Sequence, residues 1–103
     1  MKIIKCLSHL IEEELEDAKK YIDLAAKWKQ DEPQVANLFH ELSTEEMGHV
    51  DKLHKAVTEK IAEYRAKNGD PPKEMMVLYD YLHEKHIAEA TKIKVMQNLF
   101  RGE

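Results

Sequence analysis

The 103-residue chain has few of the residues that interrupt or cross-link regular structure: three glycines, three prolines and one cysteine. So little glycine and proline argues against a fold of many short strands, and an apolar content of 43% argues against disorder. One cysteine excludes an intramolecular disulfide framework and fits a reducing compartment. The composition indicates long amphipathic helices around one core, because two cores would each be too small at this length.

The sequence also lacks a concentration of charge of one sign. Its 16 basic and 20 acidic residues give a net charge of −4 and are interleaved along the chain, so the basic stripe of a nucleic-acid-binding protein is missing. No stretch approaches the roughly 20 apolar residues that cross a bilayer, and the N-terminal stretch has no small-residue cleavage site. We therefore expect an intracellular, cytoplasmic protein that binds neither nucleic acid nor membrane.

Apolar residues recur at spacings of three and four in three segments, which predicts amphipathic helices over about residues 4–29, 32–67 and 71–100. The connections between these segments are short, so consecutive helices should be antiparallel neighbours. The predicted fold class is all-α. The 103 residues are expected to form one domain, an antiparallel up-down-up three-helix bundle.

Two proline-containing turns separate the predicted helices. Asp31 is the expected N-cap of the second helix, with Pro33 in its first turn, and Asp70 is the expected N-cap of the third, with Pro71 at its first position. The first turn is therefore centred near residue 31.

Three ionisable residues interrupt the predicted core rows: Glu14 in the first helix, and Glu46 and His49 in the second. With a turn centred near residue 31, residue 14 lies level with about residue 48, so Glu14 should point inward and face the other two. The row in the first helix reads Leu7, Leu10, Glu14, Ala18, Tyr21, Ala25 and Trp28. The row in the second helix reads Val35, Phe39, Leu42, Glu46, His49, Leu53 and Val57.

Two carboxylates and an imidazole at one level of a core are unfavourable unless a cation lies between them. Residues three apart share a helix face, so Glu46 and His49 can reach one metal ion. Oxygen ligands with one imidazole favour iron or manganese, and zinc is chemically possible. We therefore predict Glu14, Glu46 and His49 as metal-binding and catalytic residues. The alternative is a buried, metal-free hydrogen-bonded pair of Glu46 and His49.

The third helix carries a second polar interruption. Its row reads Met75, Tyr79, Leu82, His86, Glu89 and Ile93. His86 and Glu89 are either further metal ligands or a polar pair that orients His49. His54 and His83 also follow an aspartate by three residues, but those aspartates fall off the core rows, so solvated faces are expected there. Pairing of His54 with His86 is another possibility.

Two stretches resemble the ferritin-like superfamily, particularly its rubrerythrin and encapsulated-ferritin branch: Glu14 to Tyr21 (ELEDAKKY) and Leu38 to His49 (LFHELSTEEMGH). Such proteins have a metal-ligating Glu seven residues before an aromatic residue, and Glu-x-x-His seven residues after a Phe. The resemblance covers about residues 8–60 and implies a di-iron centre. A complete centre has four Glu and two His ligands, whereas this chain has one Glu and one Glu-x-x-His.

The missing half of the centre is expected to come from a second subunit, so that a homodimer or higher oligomer completes the bundle and its site at a two-fold axis. Helix 3, with Glu89 and His86, is the competing source. The resemblance implies a ferroxidase in iron storage or detoxification that passes electrons from Fe(II) to oxygen or peroxide, in some relatives inside a protein compartment. A peroxide scavenger, a non-catalytic metal-stabilised oligomer and a metal-free helical adaptor are the alternatives.

Overall fold

Three long helices account for nearly all of the fold. The computed structural model describes residues 2–102, and its helices are α1 (Lys2–Trp28), α2 (Pro33–Asn68) and α3 (Lys73–Phe100). The described part of the chain contains no strand, which confirms the predicted all-α class. The molecule measures 56 × 20 × 17 Å, and its long dimension matches the roughly 54 Å expected for the 36-residue α2. None of these helices is apolar enough over a sufficient length to span a membrane.

The helix starts differ from the predicted caps. Glu32, not Asp31, precedes α2, and α3 begins after Pro72, with no side-chain cap at either position. Both helices start later than predicted because a proline ring clashes with the residue before it and keeps that residue out of the helical conformation. Glu32 is therefore the last non-helical residue before Pro33, and Asp70 is followed by two prolines before α3 can start.

The buried rows of α1 and α2 are displaced from the predicted ones. Leu10, Trp28 and Val35, predicted as core residues, are exposed. Each apolar stripe is wider than one row, and only one of its sides packs within the chain. Glu14, Glu46 and His49 consequently lie beside the core, and the expectation that Glu14 points into it is wrong. The buried residues are Ile4, Ser8, Ile11, Leu15, Ala18, Ile22 and Ala25 in α1, and Ala36, Ser43, Met47, Val50, Val57 and Ile61 in α2.

Helix α3 is attached through few buried residues, and most of these are polar. Its buried residues are His86, Ile93 and Gln97, of which only Ile93 is apolar. The Gln97 side-chain amide donates to Ser43 Oγ at 2.8 Å, and Ser43 Oγ donates to the Ala18 carbonyl at 2.7 Å. This chain of hydrogen bonds links the three helices.

One side of the α1–α2 hairpin is covered by α3 and the other is open. His86 of α3 contacts Glu12 of α1, while Glu14 contacts His49 of α2. Positions 12 and 14 are roughly 200° apart around a helix, so α3 and the Glu14 side chain lie on different sides of α1.

Candidate metal centre

Glu14, Glu46 and His49 come together on the open side of the hairpin. Each offers one ligand atom, and these atoms all lie within 4.8 Å of one another. His49 Nδ1 is 3.3 Å from Glu14 Oε2 and 3.5 Å from Glu46 Oε2. Among residues 2–102 no other set of three histidine, cysteine, aspartate or glutamate side chains is so close.

The register of the hairpin produces this grouping. Glu46 and His49 are one turn apart on α2, and the antiparallel pairing brings α1 alongside with Glu14 at the same level. The hydrogen bond from Ser43 to the Ala18 carbonyl fixes that register about one turn away. The grouping predicted from the sequence is therefore present, although it lies at the surface of the hairpin.

The three side chains are only partly covered. The exposed fraction of the side chain is 52% for His49, 27% for Glu14 and 20% for Glu46. A cation can therefore reach the group from solvent without any opening of the helices. Two carboxylate oxygens and one imidazole nitrogen make a donor set suited to iron, manganese or zinc, with coordination positions left over for further ligands.

His86 and Glu89 are not part of this group. His86 Nε2 lies 3.3 Å from Glu12 Oε1, and a carboxylate oxygen can only accept, so the imidazole donates. The Glu89 carboxylate is 3.8 Å from Lys92 Nζ. Both residues line a groove with Glu12 on the side of α1 that α3 covers. Helix 3 therefore does not supply the missing ligands in this structure.

His54 and His83 make a contact that the sequence did not predict. We expected both on solvated faces, but both are half-buried and their rings stack with centroids 4.7 Å apart. The Tyr79 ring also stacks on His83, with ring centroids 5.6 Å apart. Burial, and then the neighbouring His83, lowers the pKa of His54 below its ordinary value of 6.5. His54 therefore pairs with His83 and not with His86, the pairing that the sequence had left as a possibility.

Apolar side chains flank the three candidate ligands on the same side of α1 and α2. We call this set the open face. Its members are half-buried or exposed, and Tyr21 and Phe39 stack across the hairpin with ring centroids 6.4 Å apart. An apolar row of this kind beside a polar group is typical of a contact surface. The open face comprises Leu10, Tyr21, Trp28, Val35, Phe39, Leu42 and Leu53.

The family model named Rubrerythrin matches residues 5–101, nearly the whole chain and including all three candidate ligands. A search of curated proteins and a search of solved structures gave no significant match.

Proposed function

Because the chain belongs to the rubrerythrin family of the ferritin-like superfamily, we propose that it is a ferroxidase that oxidises Fe(II) for iron storage or detoxification. The observation that carries the proposal is the set of three ligand atoms within 4.8 Å of one another on two helices. Iron is the substrate. Manganese and zinc would compete with it for the same donors.

We propose that each chain supplies half of a di-iron centre. One chain offers two carboxylates and one imidazole. A complete ferritin-like di-iron centre has four carboxylates and two imidazoles. The position of α3 on the other side of the hairpin favours a second subunit as the source of the rest. In a two-fold dimer the same patch of both chains is buried, so the open face and the candidate ligands would meet their own copies.

The carboxylates of Glu14 and Glu46 and the imidazole of His49 would have different roles in iron oxidation. The Glu14 and Glu46 carboxylates would neutralise the bound cations and stabilise the more highly charged Fe(III) product, and one ring nitrogen of His49 would complete the protein's donor set. Two Fe(II) ions lose one electron each. Together with two protons, these electrons convert one dioxygen to hydrogen peroxide, or one hydrogen peroxide to two waters.

The second candidate function is a metal-stabilised helical oligomer without turnover. The apolar open face favours it as much as it favours an enzyme, because association through that face needs no redox chemistry. Metal binding would then contribute only to stability.

Anaerobic loading with Fe(II), followed by exposure to air, tests the ferroxidase. We expect rapid growth of absorbance from an oxo-bridged ferric product, and a loss of at least tenfold in the initial rate for Glu46→Gln. Glu59→Gln is the matched control, because Glu59 is exposed on the same helix. Metal binding without faster oxidation than Fe(II) in buffer would leave the non-catalytic oligomer as the function.

A further inference from the structure

Three histidines meet between α2 and α3, away from the candidate iron site. His54, His83 and His86 all line a cavity of about 10 Å³, which Tyr79 and Ser8 also line. A cavity of this size holds about one water molecule or ion. The same three histidines line an adjoining open groove of about 290 Å³, so the cavity can be reached from solvent.

The Nε2 atom of His54 has no partner. It is buried from solvent, and no hydrogen bond reaches it. An unpaired buried polar atom is unfavourable, so its occurrence calls for a ligand or a role. The His54 ring stacks on His83 and its Nε2 has no hydrogen bond that a ligand would have to replace.

The other two imidazoles are placed as metal ligands often are. His83 and His86 are three residues apart on α3 and so share a face. The Glu12 carboxylate accepts a hydrogen bond from His86 Nε2, which leaves the Nδ1 lone pair free. A carboxylate that orients a ligating imidazole in this way is common at protein metal sites.

We propose that His54, His83 and His86 form a second metal site, which binds one divalent cation of the zinc type and clamps α3 to α2. Three imidazoles without a ligating thiolate suit zinc better than iron, and the site therefore differs in chemistry from the carboxylate-rich group of Glu14.

Binding requires the rings to turn. Within residues 2–102, only Glu14, Glu46 and His49 have their ligand atoms within 4.8 Å of one another. The His54 and His83 rings are stacked, so their nitrogens do not converge on one point. Rotation about the side-chain torsions, into the cavity that the three residues share, would bring their nitrogens onto one ion. The stacked arrangement is the metal-free state of the site.

A metal ion at this site would strengthen the attachment of α3 to the other helices. Ile93 is the one apolar residue of α3 that is fully buried, so hydrophobic packing alone holds this helix weakly. A cation shared between α2 and α3 would stabilise the folded chain by binding only when the two helices are docked.

Zinc binding to the full-length chain tests the site. In a background of Glu14→Gln, Glu46→Gln and His49→Gln, which removes the other donors, we expect one Zn²⁺ per chain by elemental analysis after dialysis. His54→Gln, His83→Gln and His86→Gln should each weaken Zn²⁺ binding at least tenfold in calorimetry. His9→Gln is the matched control and should change nothing, because His9 is exposed and pairs with Glu13 on α1.

A second measurement covers variants that fail to fold. In ¹⁵N spectra of the background protein, which keeps His54, His83 and His86, Zn²⁺ should shift one ring nitrogen of each of these three histidines and leave His9 unmoved. Unchanged zinc affinity in folded His54→Gln, or zinc titration without a shift at His54 and His83, would overturn the proposal.

Discussion

His49 Nδ1 lies 3.3 Å from Glu14 Oε2, although 35 residues separate them in the chain. With Glu46 Oε2 at 3.5 Å from the same nitrogen, the group gathers two carboxylates beside one imidazole. No Lys or Arg ion pair involves either carboxylate in the described part of the chain. The arrangement is therefore electrostatically better suited to a bound cation than to an empty site.

The first prediction concerns the stability of the metal-free protein, in which the Glu14 and Glu46 carboxylates repel each other. Glu14→Gln removes one of two neighbouring negative charges at nearly constant shape. We expect it to stabilise the chelator-treated protein by about 0.5 kcal/mol, the scale of partly exposed charge interactions. Thermal unfolding in the presence and absence of Fe(II) under nitrogen measures this, and Glu14→Gln should lose most of the metal-induced rise in Tm. A metal-induced rise as large as that of the unmodified chain would contradict Glu14 as a ligand.

The second prediction concerns the open face. Leu42→Asp places a charge among its apolar side chains and should weaken self-association at least 100-fold, equivalent to about 2.7 kcal/mol. Sedimentation at micromolar concentration should then detect monomer. Val77→Asp is the control, because Val77 is also apolar but is exposed on α3. If Leu42→Asp left the mass unchanged while Val77→Asp halved it, the interface would lie on α3 instead.

The sequence was sufficient to predict the three helices, their antiparallel order and the level at which Glu14 meets His49. Those features depend on periodicity and on turn position, which one chain encodes locally. It was not sufficient to predict which side of each apolar stripe packs internally. Leu10 and Ile11 are equally apolar neighbours, yet Ile11 is buried and Leu10 is exposed, because the position of α3 decides between them.

The placement of α3 explains the remaining differences. The sequence left open a pairing of His54 with His86, and both side chains line one cavity. The position of a residue along the bundle does not determine the direction in which its side chain points around the helix. His86 faces Glu12 rather than His49. Only tertiary packing determines that angle.

The third prediction tests the polar attachment of α3. Ser43→Ala removes both the acceptor for Gln97 and the donor to the Ala18 carbonyl, and leaves buried polar groups without partners. We expect a loss of about 1–3 kcal/mol in the free energy of unfolding, measured with urea. Adding Gln97→Leu should recover part of this loss, because the amide is then no longer buried unpaired. A double variant as unstable as the sum of both single variants would argue against the coupling.

The fourth prediction concerns Gly48, which lies in the interior of α2. A Cβ added there would meet no heavy atom within 4 Å, and no positive φ requires glycine at this position. Gly48→Ala should therefore stabilise the chain by about 1 kcal/mol through helix propensity. Urea unfolding measures it. Destabilisation would mean that another molecule, such as a second subunit, approaches the helix backbone at this point.

The claim that two chains share one di-iron centre is tested most directly by native mass spectrometry of the anaerobically Fe(II)-loaded protein. We expect assemblies with an even number of chains that carry two iron ions for each pair of chains. Glu46→Gln should lose the iron and keep the dimer, whereas Leu42→Asp should lose both. A monomer that holds two iron ions and oxidises them would contradict the shared centre.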